Sequence, residues 1–145
     1  MWMDTKYEPG TVKVIAYDKD GNAVAEKEMK TAGKPYRIEL TADRDKITAD
    51  GKDLSFVTVK VVDKDGNLCP TAANEITFKV KGKGYYRAGA NGDPTSLESF
   101  QAPHMKVFSG MMTAIVSSTE EPGKITLEAT SKGLKKATLV IESGK

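Results

Sequence analysis

The run Thr48–Asn67, TADGKDLSFVTVKVVDKDGN, constrains the fold more than any other segment of this chain. Val57, Val59 and Val61 alternate with Thr58 and Lys60. β-Branched residues at a period of two describe a strand with one buried and one wet face. Leu54 and Phe56 precede it in the opposite phase, which leaves the start of the strand open. Asp50-Gly51 stands before it and Asp65-Gly66-Asn67 after it. Both supply residues that tolerate positive φ, as tight hairpin connections require.

The same grammar of strand and turn runs through most of the sequence. Thr11–Tyr17 places Val12, Val14 and Ala16 on one side and Lys13, Ile15 and Tyr17 on the other. The turn Asp18–Asn22 follows, and Ala23–Lys30 returns as a polar strand that reads as an edge. Thr31-Ala32-Gly33-Lys34-Pro35 is the clearest boundary, because its Gly and Pro interrupt both helix and ladder. Beyond it, strands are expected at Tyr36–Leu40, Ile76–Val80 and Tyr85–Gly89. Met111–Val116 is apolar on both faces, as a central strand is. Ile125, Leu127 and Ala129 alternate with polar residues, and Ala137, Leu139 and Ile141 close the series. No window sustains apolar residues at helical spacing. Short strands at regular spacing with turns between them predict an all-β chain forming a β-sandwich.

DKDGN occurs twice, at Asp18–Asn22 and Asp63–Asn67, each time after a strand containing Val-Lys-Val. One reading is two hairpin turns built from the same turn residues. The other is two related β-domains in tandem, the first cut short. On that second reading residues 1–33 are the remnant of a preceding β-domain, since two strands alone are not independently stable. Their Val12/Val14/Ala16 face is then expected to dock on residues 34–145 or to pair with another copy as a homodimer.

Charge and cysteine content narrow the partners. With 22 Lys+Arg against 20 Asp+Glu, the net charge is +2, too balanced to imply nucleic acid or an anionic membrane. Cys69 is the only cysteine, so an intrachain disulfide is excluded, whereas a periplasmic or surface module is not. No apolar run approaches the roughly 20 residues of a membrane-spanning helix. The start, MWMDTKYEPG, lacks a signal peptide's apolar region and reads as an added Met on a cut-out fragment.

Few residues invite chemistry. His104 is the only histidine and sits in the loop-like stretch Gln101–Met105 without a nucleophile motif nearby. Cys69 reads as a small buried or half-buried apolar residue. Asp18/Asp20 and Asp63/Asp65 resemble the opening of a calcium loop, but Gly comes fourth rather than sixth and helices are missing. Turn chemistry accounts for them, a zinc site lacks ligands, and no metal or cofactor is implied. Asp93 and Glu98 are the nearest candidates for paired glycosidase carboxylates, without signs of a cleft between them. The stretch Asn91–Lys106 is long and aperiodic, which leaves two readings, a self-packed surface loop and a docking or glycan-contact loop. Asn91 and Asp93 are expected to cap its turn, Phe100 to anchor a contact, and Glu98 and His104 to line it. Tyr85, Tyr86 and Trp2 are candidate aromatic contacts for sugar, although adjacent residues on a strand point to opposite faces.

These segments also carry a family resemblance. ADGKDLSFVTVKVVDKDGNLCP (Ala49–Pro70) resembles the bacterial immunoglobulin-like group 1 pattern of the invasin and intimin adhesins. EPGKITLEATSKGLKKATLVIE (Glu121–Glu142) is similar to the last two strands of that module. YEPGTVKVIAYDKDGNAVAEKEMKTAGKPYRIELTADR (Tyr7–Arg44) and NGDPTSLESF (Asn91–Phe100) resemble the C-terminal region of β-galactosidase-like glycoside hydrolases of family 2. In that family the first segment ends a small β-domain of the DUF4982 type and the second belongs to a terminal immunoglobulin-like domain. The family often has His after Asp-Pro-Thr-Ser, where this chain has Leu97, so a polar contact there is not carried over.

The resemblance implies an immunoglobulin-like β-sandwich over residues 34–145, with an additional N-terminal β-hairpin within residues 1–33. Catalysis in that family belongs to a (β/α)₈ barrel, which needs about 250 residues and alternating helices, so no catalytic residue is carried over. The implied role is a non-catalytic accessory domain of a secreted or periplasmic hydrolase that braces or orients the catalytic barrel or mediates oligomerisation. Its implied partners are the catalytic and other domains of the parent, with a weak glycan contact at most. A carbohydrate-binding module and an adhesin-type spacer are the alternatives.

Overall fold

A computed structural model describes residues 6–145. Residues 11–30 form a hairpin of β1 (Thr11–Tyr17) and β2 (Ala23–Lys30). The remaining strands are β3 (Arg37–Ala42), β4 (Lys46–Thr48), β5 (Leu54–Val62), β6 (Glu75–Gly82), β7 (Gly84–Ala90), β8 (His104–Lys106), β9 (Met111–Ser118), β10 (Gly123–Thr130) and β11 (Ala137–Gly144). They build two facing sheets, one of four strands in the order β3-β5-β9-β7 and one of five in the order β4-β11-β10-β6-β8. All pairings are antiparallel except β4 on β11. The described residues contain no helix, and so none long and apolar enough to cross a membrane.

The core is the alternation made solid. Val57, Val59 and Val61 of β5 point inward beside Met112, Ala114 and Val116 of β9, all buried. From the opposite sheet come Ile76 and Phe78 of β6, Met105 of β8, Ile125, Leu127 and Ala129 of β10, and Ile141 of β11. The open start of β5 resolves the same way. Ser55 continues the inward phase and is fully buried because its hydroxyl donates to the Arg44 carbonyl at 2.8 Å. Leu54 and Phe56 therefore lie on the outer face with Thr58 and Lys60, and Phe56 is 42% exposed.

The chain passes from one sheet to the other at Gly82-Lys83-Gly84, between β6 and β7. Lys83 is pinned there, its amide donating to Lys124 and its carbonyl accepting from Thr119. Gly82 has φ +92° and its backbone lies so close to the Lys124 carbonyl that a Cβ would fall onto that oxygen. Only glycine allows both the conformation and the approach.

Two strands escape the sequence pattern. β4 and β8 are three residues each, too short to show a period, and exist because an edge of the five-stranded sheet offers unpaired backbone. His104 is therefore not a loop residue. It opens β8 and pairs with Thr77 of β6.

The hairpin stands apart. Val12 pairs with Met29, Val14 with Lys27 and Ala16 with Ala25 on one face, while Ile15 and Tyr17 stand on the other. That other face also carries the Lys13–Glu26 ion pair at 2.8 Å, with Lys30–Glu28 at 2.9 Å near its end. Every residue of both strands is exposed, with Val12 at 69% and Val14 at 55%. The expectation that this face docks on residues 34–145 is thus not met. The sandwich closes its core with its own two sheets, and β1 and β2 stay exposed beside it.

Candidate docking surface at the β7–β8 loop

Residues 91–103 join β7 to β8 and carry most of the polar residues singled out in the sequence. The loop is tied down from within. Asn91 donates from Nδ2 to the Lys106 carbonyl at 3.0 Å, while its Oδ1 accepts the Asp93 amide at 3.0 Å. Asp93 Oδ1 accepts from the amide and hydroxyl of Thr95, at 2.9 and 2.7 Å. These bonds hold the Asp93 carboxyl below the ordinary carboxylate range. Glu98 accepts the Ser96 hydroxyl on one oxygen and the Lys106 amide on the other, each at 3.2 Å. The Gly89 amide donates to the Phe100 carbonyl at 2.7 Å, and the Phe78 amide to the Pro103 carbonyl at 2.8 Å.

The polar side chains thus work as the frame of the loop. Asn91 and Asp93 cap its turn as expected. Asp93 and Glu98 spend carboxylate oxygens on amides and hydroxyls of the loop and of β8, which disfavours an acid–base pair. Among the residues that the frame turns outward are two large apolar side chains. Leu97 is 100% exposed and Phe100 62% exposed. Beside them runs a groove of about 440 Å³ lined by Asn91, Asp93, Ser96, Glu98, Lys106 and Phe108, among others. Phe108, 45% exposed, was not visible as a surface residue from sequence. Nor was Leu97, which the sequence marked only as standing where the family often has His.

The other candidates lie elsewhere. His104 faces solvent with Nδ1 3.9 Å from Glu75 Oε2. Tyr85 and Tyr86 take opposite faces of β7. Tyr85 is 41% exposed, whereas Tyr86 packs inward with its ring stacked on Phe78 at 5.4 Å between centroids. Burial pushes the Tyr86 hydroxyl up to about 12. One tyrosine, not two, is therefore available to a ligand. Trp2 lies outside the described residues. Cys69 is buried, with its thiol pushed up by burial and by the Asp63 carboxylate. Among the described residues no cluster of three or more His, Cys, Asp or Glu is arranged to hold a metal ion.

Known proteins share both the sequence and this architecture. Residues 38–140 match the model of glycoside hydrolase family 2 C-terminal domain 5, and residues 1–25 match DUF4982, a domain of unknown function. The chain is 51% identical over 138 residues to beta-galactosidase BoGH2A of Bacteroides ovatus, covering 95% of this chain and 16% of that protein. A glycosyl hydrolase family 2 member from Bacteroides cellulosilyticus superposes with a TM-score of 0.88 at 34% identity, over 97% of this chain and 18% of that one. The D00-D0 domain of intimin superposes with a TM-score of 0.58 at 17% identity, over 95% of this chain and 66% of that one, a likeness of fold alone. The chain thus spans about a sixth of the length of its family 2 relatives. With the family model running from β3 to β11, the chain belongs to the glycoside hydrolase family 2 C-terminal domain 5 family.

Proposed function

We propose that this chain is a non-catalytic accessory module of a secreted or periplasmic, β-galactosidase-like family 2 glycoside hydrolase, and that it braces the catalytic barrel through the β7–β8 loop. The observation that carries this reading is the combination of a loop locked by its own polar groups with two large apolar side chains, Leu97 and Phe100, turned outward. A rigid frame around exposed apolar anchors is how docking surfaces concentrate binding energy, because little ordering is required on contact. The names of the relatives supply the expected partner class.

On the same reading residues 1–33 end a preceding β-domain and residues 34–145 are the immunoglobulin-like sandwich. The match of residues 1–25 to a separate family model supports this division, as does the exposed Val12/Val14/Met29 face. A two-stranded ribbon is marginal in water and gains stability from further strands or a packed layer.

The test has two arms. The purified chain is expected to leave an aryl β-galactoside intact, and turnover that disappears in Glu98→Gln would overturn the non-catalytic assignment. In the longer parent protein, Leu97→Asp combined with Phe100→Ser is expected to split a shared calorimetric unfolding transition into two. An unchanged single transition would remove the loop as the docking surface.

A further inference from the structure

The two DKDGN turns fold alike, and what differs between them is informative. In the first, Asp18 Oδ1 accepts the amides of Asp20 and Asn22, each at 2.9 Å, and Asn22 Nδ2 donates to Oδ2 at 3.1 Å. In the second, Asp63 Oδ1 accepts the amides of Asp65 and Asn67 at 2.9 and 2.8 Å, and Asn67 Nδ2 donates to Oδ2 at 3.0 Å. The backbone closes each turn in the same manner, from Asp18 N to Asn22 O at 2.9 Å and from Asp63 N to Asn67 O at 3.0 Å. An Asx turn of this kind is complete in itself. Asp63 nevertheless takes one bond more. Its Oδ2 accepts the amide of Gly33 at 2.7 Å, and the residue is buried, whereas Asp18 lies exposed on the hairpin.

Gly33 sits midway along the connection from hairpin to sandwich. At the hairpin end Thr31 is bound to Gly10, through its amide at 2.8 Å and its hydroxyl oxygen at 2.9 Å. At the sandwich end the Tyr36 amide donates to the Val62 carbonyl at 2.8 Å. Between these anchors the chain is held by the Asp63 bond and by a weaker approach of the Cys69 thiol to the Gly33 carbonyl at 3.7 Å. Asp63 is itself immobilised from the far side. Arg37 donates to the carbonyls of Asp63 and Lys64 at 3.2 and 2.9 Å, and is oriented by Glu39.

Packing adds one small contact, Ala32 of the connection against the sandwich core. All residues of β1 and β2 are exposed, and an open groove of about 590 Å³ separates Tyr7 and Met29 at the base of the hairpin from Leu68 and Pro70. The direction of the hairpin is therefore carried by the tied connection.

We infer that the Asp63 carboxylate is a latch that fixes the direction in which the N-terminal hairpin leaves the sandwich. The Gly33 amide is the largest of the influences that hold this carboxyl down to about 2, so the latch is ionised and closed across the physiological range. Its consequence for a longer protein rests on the reading that residues 1–33 end a preceding domain, whose angle to the sandwich the latch would set. The latch itself is a property of this chain and depends on neither Leu97 nor any hydrolase activity.

Nuclear magnetic resonance of the 145-residue chain tests it. Asp63→Asn keeps an Asx-turn residue but turns an amide against the Gly33 N–H. Gly33→Pro deletes the donor and leaves the Asp63 turn whole. Gly33→Ala is the silent control, since its Cβ would meet Asp63 Oδ2 at an ordinary 3.5 Å. Residual dipolar couplings of hairpin and sandwich are expected to fit one alignment tensor in the native chain, in Gly33→Ala and in Asp18→Asn. In Asp63→Asn and Gly33→Pro two tensors are expected. In Asp63→Asn the Gly33 amide is also expected to exchange about tenfold faster, as a bond-protected amide does on release. Two tensors in the native chain, or one tensor in both latch variants, would overturn the inference.

Discussion

Leu127→Ala separates the sandwich core from the hairpin energetically. Leu127 has none of its surface exposed and lies on β10 between Val80 of β6 and Leu139 of β11. Removing its isopropyl group forfeits about 2.4 kcal/mol of transfer free energy, at about 0.8 kcal/mol per buried carbon. The cavity between two sheets that cannot collapse raises this to about 3.5 kcal/mol, inside the usual range for Leu→Ala. For a chain of this size each kcal/mol lowers Tm by roughly 2–4 °C, so a fall of about 10 °C is expected. Val14→Ala is the contrast. Its side chain is 55% exposed on β1 and faces no second layer, so the loss is at most about 0.7 kcal/mol, or about 2 °C. Thermal melts followed by circular dichroism at one scan rate read both. Equal losses from the two substitutions would show that hairpin and sandwich share one core, and would refute the division argued from burial.

Two further predictions follow from the turns and the sheet crossing. Asp18, Asp50, Asp53, Asp63 and Asp93 all titrate below their ordinary 3.8 in the folded state, Asp63 at about 2, because backbone amides donate to them. Depressed carboxylates contribute stability that is present above the unfolded pKa and lost as pH falls through the folded one. Tm is therefore expected to hold steady down to pH of about 4 and to fall between about 4 and 2, less steeply in Asp63→Asn. A Tm that rises over that window would contradict the assignment. Gly82→Ala is expected to abolish soluble folded protein, since the new Cβ meets the Lys124 carbonyl. Gly133→Ala also has positive φ, at +80°, but has open space around it and is expected to cost about 1–2 kcal/mol. Equal stability of the two variants, by urea titration, would show that backbone conformation alone decides Gly82.

Much of the architecture is legible in the residues taken singly. Val57, Val59 and Val61 alternate because one face is wet, and that period survives into the structure unchanged. The Asp-Gly turns and the pointing of adjacent tyrosines to opposite faces follow from local backbone rules. The candidate loop is also recognisable as a loop, and the caps at Asn91 and Asp93 follow from their side chains.

What the sequence by itself determined was therefore periodic and local: strand phases, turn positions and the sandwich class. Tertiary structure decided everything that depends on a distant partner. β8 is a strand only because β6 offers it an edge, and His104 left the loop with it. Glu98 became a frame residue only when the Lys106 amide came within 3.2 Å, which left Leu97 and Phe100 as the outward surface. Asp18 and Asp63 occupy identical pentapeptides, yet one closes a turn and the other also holds Gly33. No local rule distinguishes them, because the difference is which backbone amide the fold delivers to the second oxygen.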